Sequence, residues 1–182
     1  MSSASSSDAT LPTTEARPAA VHRLNHAVLF ITDVERAKRF YCDVLGFNVA
    51  HEMGDRAVFL RAEGSINDHD LGLFSLGAQA APRDPHAVGL YHLAWQVDTI
   101  DELAELEARL SAAGSLVGMS DHGVSRSLYA TDPDGNEFEV MWAAPRASWP
   151  AALPGVNPLD LEGDVSRFSG VRTLHELTST GS

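Results

Sequence analysis

Cysteine is nearly absent from this chain of 182 residues. Cys42 stands alone, so no disulfide can form within it. Secreted folds that lean on such bridges are therefore not indicated, and a cytoplasmic setting is expected. Long apolar runs are missing too: none approaches the roughly 20 residues a membrane helix needs. Basic residues are few, 13 Lys and Arg against 25 Asp and Glu, for a formal net charge of -12. Nucleic acid and anionic membranes both require clustered cations, and there is no cluster, so neither is expected as a partner. The opening stretch, MSSASSSDATLPTTEARPAA, lacks the basic start and apolar centre of a secretory leader. It is rich in Ser, Thr, Ala and Pro, and residues 1–20 read as an arm outside the fold.

What is present is an order of elements that occurs twice. VHRLNHAVLFI reads as a strand, and DVERAKRFYCDVLGF (33–47) as an amphipathic helix with Asp33 as N-cap and Gly46 near its stop. Three strand segments follow: NVAHEM, RAVFLRA and HDLGLFSL. After the linker AQAAPRDPHAV the series restarts. GLYHLAWQV is a strand and TIDELAELEARLSAAG a helix capped by Thr99. LVGMSDHG, SRSLYATD and NEFEVMW are strands, the last two joined through DPDGN. The expectation is an α+β domain over 21–142, built from two βαβββ modules at about 21–80 and 88–142 that form a curved mixed sheet. A proline-rich extension, 143–182, follows, with a short helix expected at 164–177.

Overlaying the modules on their first strands aligns His26 of LNHAVLF with His92 of LYHLAWQV, at matching parity. In the alternating segment GNEFEVMW, Phe138, Val140 and Trp142 occupy one face and Glu137 and Glu139 the other. The position that mirrors Glu139 in the first module falls at Gly72, Leu73 or Phe74, with Leu73 at equal spacing. None of these has a side chain that binds a metal. Two imidazoles and one carboxylate, His26, His92 and Glu139, thus form a candidate facial triad with one side left open, the donor set of non-haem Fe(II) oxygenases. A lone strand histidine or glutamate carries little weight; the joint spacing across a duplicated topology is what singles out these three. His22 shares the parity of His26 but lies at the strand's outer end. His51, His86 and His175 are read as structural or surface residues.

The segments NHAVLFITDVERAKRFYCDVLGF and DPDGNEFEVMW resemble the vicinal oxygen chelate superfamily of glyoxalases, bleomycin- and fosfomycin-resistance proteins and type I extradiol ring-cleavage dioxygenases. The resemblance covers residues 21–142. Within the superfamily, DHDLGLFS and DHGVSRSLYATDPDGNEFEV look most like the extradiol dioxygenases. That likeness implies an acid/base role for His69 and substrate-facing roles for His122 and Tyr129. It further implies Fe(II), or Mn(II), on His26, His92 and Glu139, and cleavage of a catechol-type ring with O₂. The single two-module domain and the long linker depart from the larger extradiol enzymes.

Two alternatives stand beside this reading. A glyoxalase-type lyase or isomerase on Ni(II) or Zn(II) usually needs a second carboxylate at the blank position, against which Leu73 argues. A non-catalytic drug-binding or resistance protein would suit a cationic ligand, given the acidic balance. A fosfomycin-type transferase shares the ligand pattern and ranks below both. A homo-oligomer, a dimer or higher, is expected because sheet modules of this kind pair their exposed faces.

Overall fold

The computed structural model describes residues 19–84, 86–152 and 155–174. The N-terminal arm up to residue 18, and His175, lie outside the described residues. Eight strands form two four-stranded sheets. β1 (Ala27–Ile31), β2 (Asn48–Glu52), β3 (Ala57–Arg61) and β4 (Leu71–Ser75) make the first, in the order β1-β4-β3-β2. β5 (Leu93–Val97), β6 (Leu116–Asp121), β7 (Ser125–Thr131) and β8 (Glu137–Ala143) make the second, in the order β5-β8-β7-β6. In both sheets the first strand pairs in parallel with the last and the other pairings are antiparallel. Each unit is thus βαβββ, and the fold is α+β, as the duplicated pattern implied.

The first helix departs from the expected continuous α-helix. α1 (Val34–Arg39) begins at Asp33, whose carboxylate accepts from Arg36 N, and widens to a π-helix over Phe40–Val44. Phe40 and Tyr41 are consecutive and both buried, at 8% and 1% exposure. A wider turn lets two neighbouring large rings point inward where a regular helix would turn one of them away. Gly46, at φ 78°, ends the segment in the left-handed region that favours glycine. α2 (Ile100–Ala112) starts with a full capping box, Thr99 and Glu102 each satisfying the other's backbone amide.

Alternation along β8 came out as read. Phe138, Val140 and Trp142 are 2%, 2% and 0% exposed, while Glu137, Glu139 and Met141 face the opposite side. A single apolar cluster joins the two units, with Phe47 meeting Trp95 edge to face at 5.0 Å and Phe40 meeting Phe138 at 6.0 Å. Polar ties join them as well. Tyr41 donates to Asp132 Oδ2 (3.1 Å), and Thr32 and Arg36 donate to Asp134 Oδ1 (2.6 and 2.7 Å). The turn DPDGN is therefore both the β7–β8 hairpin and the dock for α1.

The extension after β8 folds back over the second unit. Its helix, α3 (Leu161–Phe168), starts earlier than expected and stops at Ser169. Asp160 caps it by accepting from Gly163 N at 3.0 Å, and Phe168 packs on Trp142 with ring centroids 5.5 Å apart. Among the described residues no helix is long and apolar enough to cross a membrane.

Candidate metal centre

Each sheet keeps one face turned away from the core, and the proposed site residues divide between the two faces. On the second sheet the register sets Ala94 and Tyr129 opposite Glu139 on its two sides. His92 immediately precedes β5 and shares the face of Ala94. Its Nε2 stands 3.2 Å from Glu139 Oε2. Both side chains are largely covered, 25% exposed for His92 and 13% for Glu139. Two acceptors held this close need a proton or a cation between them. Donors about 2.1 Å from one ion and at right angles are about 3 Å apart, so the spacing suits a shared metal. His92 Nδ1 is buried with no hydrogen-bond partner in the structure. The Tyr91 ring lies tilted against the same imidazole, centroids 4.8 Å apart, a neighbour that sequence spacing did not single out.

The next two predicted residues adjoin this pair. The Tyr129 ring lies 5.8 Å from that of His92, and its hydroxyl is 2.8 Å from His122 Nε2. Burial raises the Tyr129 pKa above its ordinary value of 10.0, and the negative charge of Glu139 pushes the same way. The phenol is thus a neutral donor at physiological pH. His122 lies in the turn after β6, its amide bonded to Ser125 O at 3.0 Å. His92, Glu139, Tyr129 and His122 therefore form one continuous polar strip.

His26 and His69 sit on the first sheet. Their rings are 4.6 Å apart, and the Phe59 ring, also missed from sequence though its parity in β3 marks the open face, lies 5.1 Å from His69. His26 Nδ1 lies 2.9 Å from Asn25 Oδ1, and His69 Nδ1 lies 2.7 Å from Asp68 Oδ2. The hydrogen bond to His69 is the main cause that lowers the Asp68 carboxyl. Among the described residues, no group of three or more His, Cys, Asp or Glu is placed to hold a metal ion. One chain thus unites two of the three proposed ligands and leaves His26 with His69 on the other sheet.

Two details of the sequence overlay are corrected by register. β1 pairs with β4 so that Val28 faces Gly72, the counterpart of Ala94 facing Glu139. The blank mirror position is Gly72, and Leu73 is fully buried on the core face, not on the open one. The connections within the two modules differ by one residue, which was enough to swap the faces. The chain bends at Asp70 before β4 begins, so the alternation of β4 does not carry back to His69. The open face of the first sheet instead carries Val28 and Phe30, 51% and 65% exposed.

Residues 23–140 match the profile of the Glyoxalase/Bleomycin resistance protein/Dioxygenase superfamily. A catechol-2,3-dioxygenase of Bacillus subtilis is 35% identical over 146 residues, 77% of this chain and 50% of that protein. A biphenyl-2,3-diol 1,2-dioxygenase of Rhodococcus globerulus is 32% identical over 123 residues, 67% of this chain and 63% of that protein. The chain thus spans half to under two thirds of the length of these two relatives. Among solved structures, a lactoylglutathione lyase from Agrobacterium tumefaciens is 27% identical with a TM-score of 0.50, covering 70% of this chain and 96% of that one.

Proposed function

The chain belongs to the Glyoxalase/Bleomycin resistance protein/Dioxygenase superfamily, and from that premise we propose that it is an Fe(II)-dependent extradiol dioxygenase opening the ring of a catechol-type substrate with O₂. The observation that carries this reading is the contact of His92 with Glu139 beside the His122–Tyr129 pair, on one open sheet face. Relatives named as catechol and biphenyl-diol dioxygenases support the substrate class. A glyoxalase-type reaction would call for a further acidic ligand where this chain has Gly72. The reducing cytoplasm would suit both Fe(II) and the lone Cys42.

His92 and Glu139 would hold the metal, Fe(II) or Mn(II), with His26 as third ligand. Since one chain keeps His26 on the other sheet, we assign that ligand to a second copy in a homo-oligomer. The exposed Val28 and Phe30 give that closure an apolar driving force. When bound, the ion supplies a Lewis acid that lowers the pKa of a diol hydroxyl and a common centre for both reactants.

The chain's own groups do the rest. His69, with Asp68 on Nδ1, presents Nε2 as the acceptor for a diol proton and later returns a proton to the product. Tyr129 donates its hydroxyl proton toward a substrate oxygen, while His122 holds that hydroxyl in place. Phe59, its ring 5.1 Å from that of His69, offers an apolar surface to the aromatic ring and excludes water from it.

The test is anaerobic Fe(II) loading followed by oxygen uptake with a panel of catechols. A yellow ring-fission product with stoichiometric O₂ consumption is expected. His26→Ala and Glu139→Gln proteins should each be inactive, and mixing them after co-refolding should restore about a quarter of wild-type activity, since half the dimers are mixed and one of their two sites is intact. No O₂ uptake with any catechol by loaded protein refutes the reaction; no recovery on mixing refutes the shared site.

A further inference from the structure

The family match ends at residue 140, and the chain beyond it returns to the one turn that carries His122. Asp121, the last residue of β6, exchanges two main-chain hydrogen bonds with Asn157 of the extension, at 2.8 and 2.9 Å. From α3, Asp164 accepts from Arg126 through both carboxylate oxygens: Nε donates to Oδ2 at 2.5 Å and Nη2 to Oδ1 at 3.2 Å. The remaining nitrogen, Nη1, reaches Asp121 Oδ1 at 2.8 Å and Gly123 O at 3.3 Å. Asp121 and Gly123 are the residues on either side of His122. Gly123 has φ 78°, and its amide donates to Asp121 Oδ1 at 2.6 Å.

Arg126 is only 8% exposed. A desolvated ion pair is a poor way to gain stability, because the cost of leaving water offsets much of the attraction. What a two-pronged guanidinium–carboxylate pair does supply is fixed geometry. α3 does not need this pair to stay docked. Phe168 packs on Trp142, Ser169 Oγ and Gly170 N donate to Asp101, and Thr173 N and Leu174 N donate to Asp98. The turn at 121–125 is held from outside its own hairpin by Asn157 at Asp121, by Ala144 N, which donates to Val124 O at 2.9 Å, and by Asp164 acting through Arg126 of β7.

We propose that Asp164 and Arg126 are positioning residues for His122: the C-terminal extension, through their paired charges, holds the β6–β7 turn so that His122 Nε2 meets the Tyr129 hydroxyl. The inference rests on the reading of His122 and Tyr129 as substrate-facing groups. It gives the extension a role in the site without any extension residue touching substrate.

The test compares Asp164→Asn, which keeps one acceptor, Asp164→Glu, and the apolar pair Asp164→Leu with Arg126→Met, which removes both buried charges together and keeps the fold. Two readouts are used: the imidazole NMR signals of His122 and His92, and the split between kcat and KM with a catechol. In the apolar pair the His122 signals should shift and broaden while those of His92 stay, and kcat should fall about 10- to 100-fold with KM within about twofold. Asp164→Asn should fall between that protein and wild type, and Asp164→Glu should recover most of kcat. An apolar pair with wild-type His122 signals and wild-type kcat overturns the proposal, as does an equal disturbance of His92. Should the wild-type protein turn over no catechol, the dioxygenase reading fails by itself, and the NMR arm still decides whether the extension places His122.

Discussion

Replacing Tyr41 by Phe deletes one oxygen atom, and with it a donor to a buried carboxylate. Asp132 is 4% exposed and accepts four hydrogen bonds: Asp134 N and Asn136 N on Oδ1, and Asn136 Nδ2 and the Tyr41 hydroxyl on Oδ2. A hydrogen bond to a charged acceptor contributes about 1.5–3 kcal/mol. In a chain of this size each kcal/mol moves Tm by about 2–4 °C, so the variant should melt roughly 3–12 °C lower at neutral pH. The pH dependence makes the prediction sharper. Burial raises the Tyr41 pKa well above 10.0, reinforced by the Asp132 charge and by the hydrogen bond to it. The folded pKa thus lies above the unfolded one, so the phenol's contribution is complete below about pH 10 and is lost as pH rises toward the folded value. The loss runs at about 1.4 kcal/mol per pH unit. The gap between wild type and Tyr41→Phe should therefore close about 1–2 units above pH 10. Groups common to both proteins cancel from the difference. Urea unfolding at several pH values from about 8 to 12 measures it. A gap below about 0.5 kcal/mol near pH 8, or one that stays constant to pH 12, would refute a neutral phenol bonded to ionised Asp132.

Trp142→Ala should cost about 3–5 kcal/mol, since the ring is fully buried against Phe168 and its loss leaves a cavity; urea unfolding followed by circular dichroism checks this. Gly163→Ala should destabilise by up to about 1 kcal/mol net, since its Cβ would collide with the Asp160 carboxylate and expel the α3 cap, a loss only partly offset by alanine's better helix propensity; a stabilised variant would contradict the cap geometry. Adding Fe(II) or Mn(II) at about a hundred times Kd should stabilise the wild type by about 2.7 kcal/mol, and chelator should reverse it. Glu139→Gln should show no such shift in anaerobic thermal melts, and an equal shift in that variant would place the metal elsewhere.

Much of the fold was legible before any coordinate. Alternation in GNEFEVMW identified which side of β8 is buried, because a strand's side chains can only alternate. The cap residues Asp33 and Thr99 marked both helix starts because their side chains satisfy amides that the helix leaves unpaired. The π-turn at Phe40–Val44 was not legible, since it arises from two adjacent rings competing for one core. Nor was the extent of α3: Asp160 caps its start, and Phe168, its last residue, packs on Trp142.

The candidate site divides along the same line. Sequence determined which side chains are chemically able to act, and it placed Tyr129, His122 and Glu139 within one unit whose short connections bring them together. Register decided that Gly72, and not Leu73, is the blank position, because a difference of one residue between modules reverses every face. The parallel pairing of β5 with β8 brought His92 to Glu139, and only the packing of one sheet relative to the other left His26 with His69, apart from that pair. Local periodicity reports the direction of each side chain from its own strand; the distance between two sheets is set by the core that joins them, which no single segment encodes.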